Sequence, residues 1–418
     1  MLPGINIEFD NGNIGAVVPS PDGCFGLVTM ADEVADTFVH ETPYVVKSMQ
    51  DVAALGLVDD IGNHRLYKFL FEFFQEGGSG QELWLMAFSK MKPNIDPEEP
   101  DEVVLMSELF TPDVSGLAPA EMLLNASNGK LRGLFALFNP SAAYVPVITN
   151  GIDDDVALCL SLAQPLLEDY TDRKSAPAFM IIEGYAFNGN HISLPDFTQA
   201  SYNRIGVMIG DTEKRTGDTA SKGAAIGVLA GRLAKNRVHV NIGKVRDGAL
   251  NPLGFFIVDT PVESYDVDSI HSKGFITLRS HVGKSGYFFS DDPLACEISD
   301  DYHYLARRRT IDKAYRIAYT TALNYVLDEV PVNNDGTVSP FYAKTIEGHV
   351  EREVYNQMTL NGELSSNPQD SKDLGVTCKV DLTVNIVATS RLKMTLRVRP
   401  FGYNRWIDIL LGFDINND

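Results

Sequence analysis

The chain has 418 residues, of which 44% are hydrophobic and 22% are charged. This length allows two or three domains of ~150 residues each, and the composition is typical of globular proteins rather than of disordered, collagen-like or coiled-coil chains. The chain carries 35 basic and 56 acidic residues, a net charge of −21. Such a charge disfavours nonspecific binding to nucleic acids or anionic membranes, because their phosphates would be repelled.

Export, membrane insertion and disulfide stabilisation are not supported by the sequence. No apolar run reaches the ~18 residues that cross a bilayer. The start MLPGINIEFDNGN lacks the basic end and the apolar core of a secretion signal, so we expect the protein to fold where it is made. The four cysteines lie far apart without a CxxC pair, which predicts reduced core residues: Cys24, Cys159, Cys296 and Cys378.

The first 250 residues predict an arm followed by an α/β domain. Within residues 1–20 only Ile5–Phe9 alternates as a strand should, amid prolines and glycines, so we predict an N-terminal arm. From residue 21 to residue 250, short apolar runs alternate with helix-period segments. The predicted strands are Leu83–Phe88, Leu134–Phe138, Phe179–Ile182 and Val207–Ile209, and the predicted helices are Leu66–Phe74, Val156–Leu167 and Ala224–Ala234. This order predicts βαβ units and a mixed, largely parallel sheet.

The remaining chain predicts an α+β domain over residues 251–400 and a terminal strand over residues 401–418. Apolar spacing predicts a helix over Asp312–Leu327, and Ser339 before Pro340 predicts the start of a second helix. Three alternating segments then predict strands over residues 380–386, 392–398 and 407–413. The last of these must join a sheet, in its own chain or in a neighbour's, because its backbone edges are otherwise unpaired.

Glycine-rich segments raise the question of phosphate binding. Gly217–Gly223 has the wrong residue order for a Walker loop, since lysine and serine are reversed before the helix. Gly223, Gly227 and Gly231 recur every fourth residue, which favours a bare helix face packed against another element. The alternative function left open is a nucleotide- or phosphate-using α/β enzyme built on residues 130–250.

No motif predicts catalytic residues, a cofactor or a metal site. The eight histidines are scattered without HExxH, and no GxSxG elbow is present. Arg307, Arg308 and Arg309, followed by Lys313 and Arg316, form the strongest basic cluster of the chain. This cluster is either a helix start whose cations are solvated or paired with local acids, or a docking surface for an acidic partner.

Several motifs in chain order resemble those of the tail-sheath proteins of contractile phages and related injection machines. They are the Pro3–Ile7 arm, the helix and Gly-Gly turn of Leu66–Trp84, the Gly/Ala helix Gly223–Ala234, the helix that follows Arg307–Arg309 (the Arg-led helix), and the final PFGYNRWIDILLGF of Pro400–Phe413. The family commonly has Trp-Gly-x-Arg-Thr before the Arg-led helix, where this chain has Tyr287–Ser290. The departure indicates a divergent prophage or injection-system branch.

The resemblance implies a non-enzymatic sheath subunit that forms stacked, hexameric rings around a tail tube and contracts to drive the tube through a target envelope. Its implied partners are further copies of itself, the tube protein, and baseplate and tail terminator proteins, in a virion tail or injection particle assembled in the bacterial cytoplasm. Another tail or baseplate component is the alternative within this class. The resemblance also implies strand exchange between subunits, for which the residues are Ile5, Ile7, Phe9, Ile407, Ile409, Leu411 and Phe413. We further predict that the basic cluster faces the tube.

Overall fold

The computed structural model describes residues 20–94, 96, 98–217 and 220–413. The chain divides into two compact units, Met1–Tyr319 and Thr320–Asp418. Residues 251–319 belong to the first unit, whereas the sequence predicts a division near residue 250.

A six-stranded, mostly parallel sheet forms the centre of the first unit, as the alternation of apolar runs and helices predicts. Its strands are β1 (Phe25–Met30), β2 (Tyr44–Val46), β3 (Leu83–Phe88), β4 (Gly133–Leu137), β5 (Phe179–Glu183) and β6 (Ile205–Met208). Their order is β6-β5-β4-β1-β3-β2, and only the edge strand β2 is antiparallel to its neighbour. Strands β1, β4, β5 and β6 are buried along their whole length, because helices cover both faces of a parallel sheet.

Seven helices accompany this sheet along the chain. They are α1 (Met49–Ala54), α2 (His64–Gly77), α3 (Pro119–Ala126), α4 (Asp155–Lys174), α5 (Ile226–Lys235), α6 (Val267–His271) and α7 (Leu305–Ala322), the last of which runs into the second unit. Helix α2 begins after Asn63 and ends at Gly78, which has a φ of 91° that side chains rarely adopt. The predicted helix positions are thus confirmed, with α7 starting earlier than predicted.

The glycine face of α5 packs directly against α2. A Cβ atom at Gly227 would lie 2.6 Å from the backbone oxygen of Phe69, and one at Gly231 would lie 2.6 Å from that of Phe73. Neither neighbour is a side-chain end that could swing away. The two helices therefore meet backbone to backbone, which confirms the predicted packing function of these glycines.

Residues 251–319 complete the core of the first unit. Strands β7 (Leu278–His281) and β8 (Lys284–Phe289) form an antiparallel hairpin. Phe275, Leu278 and Phe289 are buried in the same hydrophobic core as the parallel sheet. This shared core explains why no boundary falls at residue 250. Within the described residues, no helix is both long and apolar enough to cross a membrane.

The second unit contains a helix and a two-stranded ribbon. Helix α8 (Pro340–Val354) packs against the antiparallel strands β9 (Val376–Val380) and β10 (Met394–Val398) through Ile346, Val350 and Cys378. The strand predicted over residues 380–386 is wrong in extent, since the chain leaves the ribbon after Val380. Asn385 instead accepts a hydrogen bond from the Ala388 N–H and caps the short helix α9 (Ile386–Thr389).

The structure describes residues of only one of the two predicted terminal strands. Ile5–Phe9 lies outside the described residues. Residues 401–413 are described and belong to no helix or strand of this chain. The predicted strand at 407–413 therefore has no partner within the described part of its own chain.

Candidate functional site

The carboxyl ends of β4, β5 and β6 mark the edge where open α/β sheets bind ligands. The Glu183 side chain, which is fully buried at the end of β5, is paired with Arg65. It also accepts hydrogen bonds from the N–H groups of Phe138 and Ala224, both at 2.9 Å. Because Ala224 lies just before α5, this carboxylate occupies the place at a helix N-terminus where a phosphate would bind.

A second buried ion cluster lies beside the first. Lys68 pairs with Asp211 and, at 2.9 Å, with Glu72. Burial alone would raise the pKa of Asp211, but Lys68, Arg65 and the Thr212 N–H together outweigh burial and lower it. For Glu72, burial prevails and raises the pKa. The pKa values of the two carboxyl groups shift in opposite directions because both groups are buried beside the one ammonium group of Lys68.

The space at this edge is small in the described part of the chain. A cavity of about 10 Å³ lies beside Asp211, Arg215 and Ser221, which is room for about one water molecule. A Cβ atom at Gly223 would clash with the guanidinium group of Arg65 and the carboxylate of Glu183, so the backbone at Gly223 lies directly against the ion pair. The described residues thus place protein carboxylates where the enzyme alternative needs a nucleotide phosphate.

The predicted basic cluster is engaged inside the first unit. Arg308 pairs with Asp312 at 2.6 Å, and Arg309 donates to the backbone oxygens of Leu233 and Asn236 at 3.1 and 3.2 Å. Arg308 and Arg309 are both buried.

The rest of the cluster is also held within the chain. Lys313 and Arg316 both pair with Asp22, at 2.6 and 3.3 Å. Arg307 is half-buried and lies over the ring of Tyr304. The sequence left two interpretations open, and Arg308, Lys313 and Arg316 are paired with acidic residues of their own chain. That the cluster faces the tube stays a prediction.

The C-terminal segment, defined as residues 403–413, exposes a run of large apolar side chains. Six of them are almost fully exposed: Trp406, Ile407, Ile409, Leu410, Leu411 and Phe413. No backbone hydrogen bond joins residues 406–413 to the described part of the chain. Contiguous exposed apolar surface of this kind marks an interaction site. The predicted linking residues of the C-terminal strand are thus all exposed to contact with another molecule: Ile407, Ile409, Leu411 and Phe413. The predicted linking residues of the N-terminal strand lie outside the described residues: Ile5, Ile7 and Phe9.

A strand edge in the same unit is also unpaired. Strand β10 pairs with β9 on one side only, and no described residue pairs with its other edge. Two-stranded ribbons are marginal by themselves, and open edges recruit further strands. The unit therefore contains both an unpaired apolar segment and a strand edge that can accept such a segment.

Sequence reasoning missed two acidic residues beside this ribbon. Glu347 and Glu351 on α8 accept hydrogen bonds from the backbone N–H groups of Val380 and Cys378, at 2.8 and 2.7 Å. The available signal was their spacing of four residues beside the apolar positions Ile346 and Val350, which places them at the rim of the packed helix face.

Comparison with known proteins assigns the chain to a family. The model of the DUF2586 N-terminal domain matches residues 2–293, and that of the DUF2586 C-terminal domain matches residues 301–418. The chain belongs to the DUF2586 family. A comparison with curated protein sequences finds no match.

Solved structures show what fold this DUF2586 protein has. It is similar to a chain of the contracted helical sheath of the anti-feeding prophage, with 16% identity, coverage of 100% of this chain and 99% of that chain, and a TM-score of 0.61. It is also similar to a chain of the contracted sheath complex of the extracellular contractile injection system PVC. The identity is 14%, the match covers 99% of this chain and 98% of that chain, and the TM-score is 0.56. For the sheath tail protein of Listeria innocua, the identity is 12%, the match covers 92% of each chain, and the TM-score is 0.50. The sequence resemblance is therefore confirmed at the level of the fold, which is that of contractile sheath proteins.

Proposed function

We propose that this DUF2586 protein is the sheath subunit of a contractile injection system or phage tail. The observation that carries the proposal is the exposed apolar run of residues 406–413, in a chain whose described residues have the sheath fold. A structural role of this kind needs no catalytic residue and no cofactor. Its partners are further copies of the chain, a tube protein, and the baseplate and terminator proteins at the sheath ends.

Strand addition between subunits links the polymer in this proposal. The C-terminal segment of one copy adds as a strand to the ribbon of another, so that backbone hydrogen bonds hold the subunits while alternate side chains fill the apolar face. The arm at Ile5–Phe9 contributes a second strand in the same way.

Contraction is then a transition between two lattices. The lattice that buries more apolar surface between subunits is favoured by ~25 cal/mol per Å² of additional burial, before the cost of ordering side chains. The hexameric rings and the passage of the tube through a target envelope are part of the proposal. The fold likeness to sheaths that were solved in a contracted state supports them.

Deletion of residues 404–418 tests the proposal. We expect the complete chain to form hollow cylinders by negative-stain electron microscopy, and the deletion variant to remain a folded, unpolymerised protein by circular dichroism and sedimentation velocity. The matched control removes only residues 414–418 and keeps Ile407–Phe413, so it should still polymerise. Cylinders formed by the longer deletion would refute strand exchange at this end.

A second candidate function is a component of the baseplate region. A chain of the anti-feeding prophage baseplate shares this fold with 14% identity and a TM-score of 0.59. The same micrographs separate the two functions, because a baseplate component would stop at single rings or discs at all protein concentrations, whereas a sheath subunit extends into cylinders.

A further inference from the structure

The two edges of the β9–β10 ribbon differ in their hydrogen bonding. Asp381 donates its N–H to the Lys393 oxygen, and Arg399 donates to the Gly375 oxygen, both at 2.8 Å. In an antiparallel pair, every second residue bonds to the partner strand and the residues between them point outward. The outward backbone groups of β9 therefore belong to Val376, Cys378 and Val380, and those of β10 belong to Met394, Leu396 and Val398.

The β9 edge is closed by side chains of α8. Glu351 accepts the Cys378 N–H at 2.7 Å, and Glu347 accepts the Val380 N–H at 2.8 Å. One helical turn separates the two glutamates, so their carboxylates meet successive outward N–H groups of the strand. They take the positions that carbonyl oxygens of an added strand would take. Glu347 is buried and held further by Lys344, which fixes the carboxylate in place.

The β10 edge has no such cover. The outward backbone groups of Met394, Leu396 and Val398 bond to no described residue. Their side chains point toward α8, where Met394 and Leu396 pack on the core of the unit. The opposite face of the strand carries Lys393, Thr395, Arg397 and Arg399, all exposed. This edge therefore offers free backbone groups, one apolar face and one basic face.

The C-terminal segment has the complementary pattern. Its odd positions are all apolar from Ile407 to Phe413, and the even positions include Asp408. When the odd positions lie on the α8 side of the ribbon, they extend the apolar face made by Met394 and Leu396. Asp408 then lies on the face of Arg397, where cross-strand neighbours of opposite charge attract.

We propose that strand addition in this protein is confined to the outer edge of β10, that the occupant is the C-terminal segment of a second copy, and that Glu347 and Glu351 exclude it from the β9 edge. The inference rests on the proposed function, since it assigns the edge, the face and the charge pair for the strand exchange proposed there. Each ribbon has one acceptor edge and not two.

The first experiment removes one outward N–H of β10. Proline at an edge position whose N–H points outward spares the inner ladder, so Leu396→Pro is compared with Leu396→Ala, which loses the same side chain and keeps the N–H. The probe is a fluorescein-labelled peptide of residues 403–413, titrated by anisotropy into the unassembled full-length chain. We expect about tenfold weaker binding to Leu396→Pro than to Leu396→Ala. Equal binding would overturn the assignment of the edge.

The second experiment opens the other edge. In the double variant Glu347→Ala, Glu351→Ala, the freed N–H groups of Cys378 and Val380 should take up a second peptide, so the stoichiometry rises from one to two per chain. Glu353→Ala is the control and should stay at one, because Glu353 accepts a hydrogen bond from the Gln357 side chain and not from a backbone N–H of β9. A double variant that still binds one peptide would overturn the exclusion.

A measurement on the unchanged chain covers the case in which the double variant fails to fold. In residue-resolved hydrogen exchange on the unassembled protein, the Cys378 and Val380 amides should be protected and those of Met394, Leu396 and Val398 should exchange fast. On assembly the latter three should gain protection. Fast exchange at both edges before assembly would refute the closed β9 edge.

A charge swap tests the face. Arg397→Asp should weaken binding of the peptide, and a peptide with Asp408→Lys should restore it toward the original affinity. Absence of restoration would refute the Asp408–Arg397 neighbourhood. Peptide binding at β10 without cylinders from the complete chain would refute the proposed sheath function and leave the edge assignment standing. Cylinders that form equally well with Leu396→Pro and Leu396→Ala would refute the edge assignment and leave the proposed sheath function standing.

Discussion

Asp22 explains why Lys313 and Arg316 of α7 do not form an exposed basic patch. It lies in a single turn, Pro21–Gly23, just before β1, and pairs with Lys313 and Arg316 on α7. The three side chains are only 13–15% exposed. One carboxylate from the start of the chain thus balances two cations that lie almost three hundred residues later.

Removing this carboxylate should destabilise the first unit. The variant Asp22→Asn leaves Lys313 and Arg316 largely buried without their counter-charge, and breaking a buried pair in this way costs about 3 kcal/mol or more. Urea denaturation followed by circular dichroism measures the loss. Asp101→Asn, at an exposed position, is the control and should stay within ~0.5 kcal/mol of the parent. Equal stability of the two variants would contradict the structural role of Asp22.

The same carboxylate predicts a pH dependence. Burial alone would raise the pKa of Asp22, but Lys313, Arg316 and Arg309 outweigh burial and lower it below its ordinary value of 3.8. A lowered pKa in the folded state means that the contribution to stability is present above the ordinary value and is lost as the pH falls through the folded value. The stability difference between the parent and Asp22→Asn should therefore be constant near neutral pH and shrink below about pH 4. A difference that grows in acid would contradict this sign.

At the scale of elements, the contact between α2 and α5 is set by the absence of side chains. In Gly231→Ala, the new Cβ would lie 2.6 Å from the Phe73 oxygen and 2.8 Å from the Gly77 nitrogen, so the helices must separate. We expect a loss of about 1–3 kcal/mol, as for other overpacked cores. Thermal unfolding of the first unit measures it.

The control is the same substitution on another helix. Gly348 lies within α8, and a Cβ atom there would meet nothing within 4 Å. Gly348→Ala should therefore gain about 0.5–1 kcal/mol, because alanine loses less backbone freedom in a helix. Opposite signs from one chemical change would show that close approach, and not helix propensity, governs Gly231. Stabilisation in both variants would contradict the close contact.

The elements that the sequence predicts well are those determined by local patterns. Strand β3 matches its predicted bounds because a run of six apolar residues is long enough only for a buried strand. Helix α8 begins where Ser339 and Pro340 predict. The strand predicted at 380–386 fails because Asn385 can cap a helix as readily as its neighbours can alternate in a strand, and local alternation does not distinguish the two.

The features that sequence could not predict depend on partners distant along the chain. Nothing near Arg307–Arg309 shows that Asp22 and the carbonyl groups after α5 will meet α7, so the cluster reads as a surface. The two glutamates of α8 look like a solvated helix rim until β9 is placed beside them. By contrast, the exposed C-terminal segment is predictable, because an alternating apolar strand with no sheet left to join is visible in the sequence itself.

At the scale of the whole molecule, the division into two compact units predicts two unfolding transitions in differential scanning calorimetry. Gly231→Ala should lower the temperature of one transition, and Glu347→Ala should lower that of the other, because their partners lie in different units. Each variant serves as the control for the other. A single transition shifted by both substitutions would show that the units unfold as one.

The closed β9 edge has a consequence for the sequence of events in growth. If the β9–β10 ribbon can be extended only at β10, strands from two terminal arms cannot bind independently at its two edges. If the N-terminal arm also adds a strand, as proposed above, it has to pair with the strand donated by the C-terminal end of another copy, so the first docking creates the acceptor edge for the second. The strands of a growing polymer would then be added in a fixed order. A subunit that lacks its C-terminal strand would prevent both kinds of link at its position.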